Sequence, residues 1–418
     1  MKVMALLLVL SCAVGCMAGE GFLEARGAEL YLDGKVYREI GFNKYDLLLQ
    51  SILCPEEQWR QTNEKEVTKD LEELHRHGFK IIRFMGGPFY PTDFDRYFFH
   101  KDSEIQAAIR KIFFQRYDRI LDLCDRYEIK VIPSLIWWNA AFADLGGHSM
   151  HEGVVNPQSA ARQKMNEYIA AVVERYQDRP TIAMWELGNE WNLQADLQFK
   201  DGAIGNYERN LAPPVIVRDN TNNFNSEELA RMTQQLAELI KSIDRNHLVT
   251  TGHSSPRAAS MHLLKAAKAN QPLDWTHDTQ EELTEYLSMT HPDPIDVISI
   301  HYYEEAMECY RAEGGHGNPD NLGLFMQASQ QIGKPMMIGE IGMYKKMEDA
   351  IEDYRQPGCL PYLEACLREI VKNKYPLTLY WTYHDSNIGR GEQHWSLEYG
   401  KTDEVLKRIE QANRDIKK

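Results

Sequence analysis

The 418-residue sequence lacks a basic surface, long apolar runs and paired cysteine motifs. Its 47 basic side chains are outnumbered by 62 acidic ones, which gives a formal net charge of −15. Nucleic-acid binding relies on lysine and arginine side chains that neutralise phosphates, so this balance argues against a nucleic-acid partner. No stretch reaches the 18 or more uninterrupted apolar residues that a membrane-spanning helix needs. We therefore expect no transmembrane span.

The seven cysteines form neither a Cys-x-x-Cys pair nor the Cys/His spacing of a structural zinc site. No clustered ligand spacing of a catalytic metal site is present either, so we expect no metal and no cofactor. Beyond the first residues an odd number of cysteines remains, which is compatible with one disulfide or with buried free thiols. These are Cys54, Cys124, Cys309, Cys359 and Cys366.

The amino terminus is typical of an export signal. A charged residue precedes the apolar run 4–10, and small residues follow it. We predict that residues 1–18 form a signal segment, cleaved after Ala18, and that the protein is exported: secreted, periplasmic or anchored at the cell surface. Lipidation of Cys16 or Cys12 is the alternative form of processing.

Short β-rich apolar runs alternate with longer segments of helical periodicity from Val36 onward. Pairs such as Ile81-Ile82 and Val131-Ile132 are typical of parallel strands that are covered on both faces. Eight such units predict an α/β fold, a (β/α)8 TIM barrel, with its active site at the carboxyl ends of the strands. The predicted strands span residues 37–42, 80–85, 130–136, 182–187, 247–251, 297–302, 335–339 and 377–382.

The remaining segments complete this architecture. Residues 22–33, with a turn at 32–35, predict a short N-terminal β-hairpin that plugs the bottom of the barrel. Asn225 and Glu228 offer a capping box to one of the helices. No linker rich in Pro, Gly or Ser divides the chain, so we predict a single catalytic barrel over residues 19–418. Predicted helices include residues 64–77, 105–127, 160–176, 226–243 and 360–372.

Polar side chains stand at the predicted carboxyl ends of the strands, where a barrel carries its active site. Carboxylates beside glycine in apolar strands are costly unless they are paired or used, so Glu190 and Glu340 are the sharpest candidates. The strand-end residues are Arg83, Asn189, Glu190, His301, Tyr303, Glu340 and Trp381.

The two glutamates suit cleavage of a glycosidic bond. Retaining cleavage uses a protonated carboxyl group as the acid and an ionised one as the nucleophile, about 5 to 5.5 Å apart. Glu190 and Glu340 end strands that face each other across the barrel, and neighbouring carboxyl groups push their pKa values apart. Arg83 is suited to keeping one of them ionised through a charge-assisted hydrogen bond.

Strand alternation refines these assignments. His301 and Tyr303 share a face and are expected to point into the site, where Tyr303 can donate a hydrogen bond to the nucleophile. Glu186 shares its parity with Glu190, and we interpret it as a buried structural carboxylate beside an arginine or tryptophan.

Further candidates lie nearby at the mouth of the barrel. Trp137 and Trp138 point opposite ways, so at most one of them faces substrate, and we include Trp137. His253, His384 and Asp385 are additional candidates at the rim.

These motifs together resemble glycoside hydrolase family 5, of the Asn-Glu clan of retaining glycosidases. The resemblance runs over nearly the whole mature chain, and the stretch from Gly146-Gly147 to Leu187 is most similar to the β-mannanase branch. The motifs are Ile82-Arg83, Trp185-Glu186-Leu187-Gly188-Asn189-Glu190, His301-Tyr302-Tyr303, Ile338-Gly339-Glu340-Ile341-Gly342 and Tyr380-Trp381.

The resemblance implies a role for each matching residue. It implies Glu190 as general acid/base and Glu340 as nucleophile. The other implied roles are Asn189 at the sugar 2-hydroxyl, Arg83 and Tyr303 at the nucleophile, His301 near the acid/base, and Trp381 as the floor under the sugar at subsite −1.

The sequence also departs from the family pattern. Trp191 follows the acid/base, where relatives usually have proline, so we expect the loop leaving the fourth barrel strand to take its own course. The third strand ends in Trp137-Trp138-Asn139 without the histidine of many relatives. We expect segment 192–225 to form a lid or a subsite wall.

The leading hypothesis is a secreted retaining hydrolase of β-1,4-linked polysaccharide, an endo-β-1,4-mannanase, acting by double displacement on a polysaccharide or oligosaccharide. Alternatives on the same site are an exo-acting β-glycosidase (mannosidase or glucosidase), a β-1,4-glucanase and a transglycosylase. The alternative of another class is an inactive carbohydrate-binding barrel.

Overall fold

The computed structural model describes residues 21–138, 140–197, 219–303, 318–342, 359–385 and 396–418. The predicted signal segment, Cys12, Cys16, Cys309 and most of the predicted lid lie outside the described residues. The strands are β1 (Leu23–Arg26), β2 (Glu29–Leu32), β3 (Lys35–Tyr37), β4 (Glu39–Asn43), β5 (Ile81–Met85), β6 (Lys130–Ile136), β7 (Met184–Gly188), β8 (Leu248–Thr250), β9 (Ile298–Tyr302), β10 (Met336–Ile341) and β11 (Leu377–Tyr380).

Strands β4 to β11 form one parallel sheet in the order β8-β7-β6-β5-β4-β11-β10-β9. Its two ends meet in a parallel bridge between Thr250 and Val297, and the Thr250 hydroxyl donates to the Val297 carbonyl at 2.9 Å. The predicted (β/α)8 barrel is therefore confirmed. Each of the eight predicted strands overlaps an observed one, and the first begins two residues later because Tyr37 pairs within the N-terminal sheet.

Helices cover the outside of the barrel, and the five predicted helices are confirmed to within two residues. Asn225 and Glu228 form the expected capping box. The helices are α1 (Leu49–Ile52), α2 (Glu56–Gln58), α3 (Glu64–Arg76), α4 (Pro91–Phe94), α5 (Ser103–Arg126), α6 (Ala140–Gly146), α7 (Met150–Val155), α8 (Ala160–Tyr176), α9 (Ser226–Ile243), α10 (Ser260–Lys268), α11 (Gln280–Thr290), α12 (Asn321–Ile332), α13 (Cys359–Lys372) and α14 (Asp403–Ile416).

Shorter helical turns complete the secondary structure. They are π-helical turns at Trp59–Asn63 and Asp95–Phe99 and 3-10 turns at Trp191–Gln194 and Asn220–Asn222. No helix in the described ranges is long and apolar enough to cross a membrane. In the described ranges, Cys54, Cys124 and Cys366 are not part of a disulfide.

The N-terminal segment is a three-stranded antiparallel sheet, so the prediction of a single hairpin was too short. The predicted turn at 32–35 joins β2 to β3, and residues 35–37 add a third strand to the expected pair. Leu23 and Leu30 project from this sheet onto the amino-terminal end of the barrel, as expected for a plug. They share an apolar cluster with Ile81, Ile132, Met184, Leu248, Val297, Met337 and Leu377.

The carboxyl-terminal helix α14 fastens the first barrel strand. The Asn413 side chain, which is buried, accepts the backbone N–H of Ile40 and donates to Glu39, both at 2.9 Å. Lys417 also donates to Glu39 at 2.7 Å. These contacts give the buried Glu39 carboxylate the partners that a charge in the interior needs.

The plug makes a testable contribution to stability. Leu30 is fully buried, so Leu30→Ala leaves a cavity under the barrel and should lower the free energy of unfolding by about 2 to 5 kcal/mol. Val36→Ala in the same sheet removes a side chain that is 45% exposed and should cost less than about 0.5 kcal/mol. Urea unfolding of both variants measures the difference, and equal losses would contradict the plug.

Candidate active site

The turn after β7 carries Glu190 to the mouth of the barrel. Glu190 has a left-handed backbone, with φ 52° and ψ 30°, and its N–H donates to the carbonyl of Gly252 at 2.8 Å. Such a conformation is uncommon for a non-glycine residue and clusters at functional sites. Trp191 follows, buried, with its ring against Gly188.

Glu340 lies opposite, inside the carboxyl end of β10. A carboxylate oxygen of Glu190, one of Glu340 and a ring nitrogen of His301 all lie within 4.8 Å of one another. This close spacing is that of a retaining carboxylate pair, which leaves no room for a water between the two groups. Both glutamates are largely buried, with 15% and 7% of their side chains exposed.

Arg83 on β5 joins the polar groups beneath this pair. Its side chain is fully buried, and its Nη1 donates to Glu340 at 2.8 Å and to Asn43 at 3.0 Å. Its Nη2 donates to Asn189 at 2.7 Å, and its Nε donates to both oxygens of Glu186 at 2.9 Å. Glu186 thus pairs with an arginine in the interior, as we expected for a structural carboxylate.

Tyr303 holds the other oxygen of Glu340. Its hydroxyl donates to Glu340 Oε2 at 2.7 Å, while the hydroxyl of Tyr302 points away and donates to the Asn318 carbonyl at 2.6 Å. The strand parity predicted from the sequence is therefore observed. Burial raises the pKa of Glu340 above its ordinary value, although His301, Arg83 and the Tyr303 hydroxyl all act to lower it.

His301 contacts both glutamates. Its Nδ1 lies 2.9 Å from Glu190 Oε1 and 3.5 Å from Glu340 Oε1. Burial lowers the pKa of His301 to about 4, so the ring is neutral near pH 7. A neutral ring with its proton on Nδ1 can donate to Glu190 whether that carboxyl group is protonated or ionised.

Gly339 leaves the room that the His301 ring occupies. A Cβ atom at position 339 would stand 2.8 Å from His301 Nε2 and 3.0 Å from Cδ2, closer than side chains pack. Asn43 donates to the Gly339 carbonyl at 2.9 Å and so fixes this stretch of β10. The sequence marked Gly339 only as part of a motif, while the contact with His301 explains why the position needs glycine.

Three aromatic rings flank the carboxylates. Trp381, half-buried after β11, stacks on Tyr45 with ring centroids 5.1 Å apart, and Trp137 lies 6.0 Å from it. The Arg83 guanidinium sits over the Trp137 ring at 4.7 Å. Trp138 instead stacks on Phe89, so only the first residue of the strand-end tryptophan pair faces the site.

A buried charge network surrounds Lys44, the residue before Tyr45. This network was not predicted from the sequence. Lys44 is buried and pairs with Asp46 at 2.9 Å and Asp70 at 3.4 Å. Lys44 also donates to the His384 carbonyl, and the His384 ring contacts Asp70 at 2.7 Å. In the sequence, the sign of this network was the polar run Lys44-Tyr45-Asp46 directly after an apolar strand.

The three rim candidates have different outcomes. Asp385 accepts from the Tyr45 hydroxyl at 2.9 Å, beside Trp381, and His384 belongs to the charge network. The His253 side chain is buried, and its ring packs edge-on against His291 with the ring centroids 5.4 Å apart.

Two groups of side chains in the described part of the chain have a spacing that a metal ion would accept. In the first, Glu190, His301 and Glu340, the Arg83 cation already balances Glu340 at 2.8 Å. In the second, Glu282 pairs with Lys265 at 2.8 Å and caps helix α11. Neighbouring cations in both groups oppose a further positive charge.

Comparison with known proteins agrees with this geometry. The family model described as Cellulase (glycosyl hydrolase family 5) matches residues 41–387. The chain is 24% identical to a protein named probable mannan endo-1,4-beta-mannosidase F from Aspergillus flavus over 336 residues. That match covers 77% of this chain and 60% of the relative, so the matched region spans well under two thirds of the relative's length.

Two solved structures show the same fold. The endo-1,4-beta-mannanase from Rhizomucor miehei superposes with a TM-score of 0.61 at 17% identity, covering 95% of this chain and 99% of that one. An exo-beta-1,4-mannosidase from an Opitutaceae bacterium superposes with a TM-score of 0.54 at 15% identity, covering 92% and 61%. With the family model spanning most of the barrel, the chain belongs to glycosyl hydrolase family 5, whose members are retaining glycoside hydrolases.

Proposed function

We propose that this glycoside hydrolase is an endo-β-1,4-mannanase in which Glu340 is the nucleophile and Glu190 the general acid/base. The observation that carries the proposal is the carboxylate pair within 4.8 Å, with one member held by Arg83 and Tyr303 and the other by His301. A carbohydrate-binding barrel without turnover would have no use for two carboxylates this close, because their mutual repulsion is costly.

The first step forms a covalent glycosyl-enzyme. A Glu340 oxygen attacks the anomeric carbon while Glu190 gives its proton to the glycosidic oxygen, whose bond to that carbon breaks. Arg83 and Tyr303 aim the attacking carboxylate and favour its ionised form. The leaving sugar departs with the proton from Glu190.

The second step reverses the roles. Glu190, now ionised, takes a proton from a water that attacks the anomeric carbon and releases Glu340, so the configuration is retained. His301 stabilises the ionised Glu190 by donating from Nδ1. Asn189 accepts from Arg83 through its oxygen, which turns its amide NH2 toward a sugar 2-hydroxyl.

The aromatic rings give the sugar an apolar floor. Trp381 is kept in place by Tyr45 and lies at the carboxyl end of β11, where a sugar at subsite −1 would rest on the indole. Trp137 is only 8% exposed and touches Arg83, so we assign it a supporting contact at the edge of that sugar.

Mannan as substrate and internal cleavage are favoured by the names of the Aspergillus relative and the Rhizomucor structure. Exo action is the second candidate, because the Opitutaceae structure named an exo-mannosidase has the same fold. Incubation with mannans, glucans, xylan and galactans, followed by sizing of the products, tests both points. Long products early in digestion support endo action, and release of single or paired sugars alone supports exo action.

The two glutamates should respond differently to substitution. Glu340→Gln should reduce turnover of every substrate to background, since no other group can attack. Glu190→Ala should lower kcat on polysaccharide by about 10²- to 10⁴-fold but spare bond cleavage with an activated aryl leaving group, which needs no proton.

Azide should restore turnover of the aryl substrate by Glu190→Ala and give a product of retained configuration. Glu72→Gln, an exposed carboxylate on α3, serves as the control and should behave as wild type. Equal sugar release by wild type and both active-site variants would refute the assignment.

The acid limb of the pH profile should report Glu340. Because burial raises the pKa of Glu340, activity should begin to fall at a pH above the ordinary range of a glutamate as the nucleophile becomes protonated. Tyr303→Phe removes a hydrogen bond that favours the ionised form, so the limb of kcat/KM should move up by about one pH unit. Tyr302→Phe, which alters the outward-facing neighbour, should leave it unchanged.

Gly339→Ala should act on the acid/base through His301. The added Cβ would displace the buried ring, whose Nδ1 contacts Glu190, so kcat/KM on polysaccharide should fall more than on an activated aryl substrate. Gly153→Ala in α7, where the new Cβ would make ordinary contacts at 3.6 Å, should change neither. Equal losses on both substrates would show that Gly339 matters only for folding.

A further inference from the structure

One tryptophan of the described chain faces solvent. Trp275 is 51% exposed, more than any other large apolar side chain described, whereas the other tryptophans there are buried or, in the case of Trp381, half-buried. An indole combines a flat apolar face with a polar N–H group, so an exposed tryptophan can stack on a ligand from solvent.

The loop that carries Trp275 has an internal turn at the tryptophan and is anchored on its carboxyl-terminal side. The N–H of Thr276 donates to the Asp274 carboxylate at 2.9 Å, which closes a tight turn around the indole. The N–H of Asp278 donates to the Ala258 carbonyl at 2.7 Å, and its buried carboxylate accepts the N–H of Met261 at 2.8 Å.

The Asp278 carboxylate also contacts the His262 ring at 2.8 Å. Trp275 is three residues from this anchor, which limits the distance between their Cα atoms to about 10 Å. The backbone position of Trp275 is therefore limited by its attachment to the loop after β8.

That same loop, residues 251–259, braces the acid/base. Its Gly252 carbonyl accepts from Glu190, and its Ser254 exchanges two hydrogen bonds with Asn192 at 2.8 and 2.9 Å. Its Ser255 hydroxyl donates to the His301 carbonyl at 2.7 Å. Trp275 is thus attached to the loop that also contacts Glu190, the residue that we propose protonates the leaving sugar.

We propose that Trp275 is a distal sugar platform for the leaving-group end of a neutral β-1,4-linked polysaccharide, stacking on a pyranose several units beyond the cleaved bond. The polymer identity rests on the proposed function, while the position of the platform rests on the loop contacts. The flat indole suits the apolar face of an uncharged sugar, and a polymer that spans the cleft is long enough to reach it. A short substrate is not long enough to reach the indole.

The test compares Trp275→Ala with Trp275→Phe and with Ile112→Ala, an exposed apolar control on α5 that is 48% exposed. On soluble mannan, Trp275→Ala should lower kcat/KM about three- to tenfold, mainly through KM, while Trp275→Phe retains most of the activity. On a short aryl oligosaccharide all three variants should match wild type.

Binding is measured separately, by retardation in native gels containing mannan, with each substitution combined with Glu340→Gln. Weaker retention of the Trp275→Ala protein than of the Ile112→Ala protein supports the platform, even if wild type cuts none of the polymers and the proposed function fails. Equal kcat/KM or equal retention for these two variants on a polymer that is cut or bound would overturn the platform. An equal loss on the short substrate would also overturn the platform, since that loss would come from the catalytic centre. The platform would fail as well if no polymer retained either wild type or variants.

Discussion

The buried guanidinium of Arg83 is the constraint on which the catalytic face depends. A cation with no exposed surface is tolerated only when carboxylates and hydrogen-bond acceptors surround it. Here the acceptors come from three other strands and from the turn after β7, so one side chain fixes Glu186, Glu340, Asn43 and Asn189 relative to one another. Replacing it would leave Glu186 as an uncompensated charge in the interior.

Pairing with Arg83 also divides the work between the carboxylates. Glu186 takes a bidentate contact in the interior and is unavailable for chemistry, while Glu340 shares the same cation but reaches the mouth of the barrel. Glu190 contacts the neutral His301, whose Nδ1 lies 2.9 Å from its Oε1. The Arg83 cation therefore acts to lower the pKa of Glu340, against the burial that raises it.

Much of this arrangement could be predicted from the sequence because strand periodicity and strand ends are local patterns. The parity of His301, Tyr302 and Tyr303 and the burial of Glu186 followed from alternation alone. The third N-terminal strand was missed because three residues carry too little periodicity to be recognised. The contact of Lys44 with His384 was missed because it joins residues 340 positions apart, a distance over which spacing gives no information.

Gly252 couples the buried ion pair of Arg83 and Glu186 to the loop after β8. A Cβ at this position would lie 2.7 Å from the Glu186 carboxyl carbon and 1.9 Å from the Gly188 carbonyl oxygen, and its φ of +72° favours glycine. The Gly252 carbonyl also accepts from the N–H of Glu190. The loop after β8 can therefore approach β7 only while this hydrogen bond and the close packing against Glu186 both hold. The loop that makes this close approach also accepts from the N–H of Glu190, donates to the His301 carbonyl and anchors the Trp275 loop. A change that moved Glu186 would therefore reach Glu190 through the backbone of Gly252.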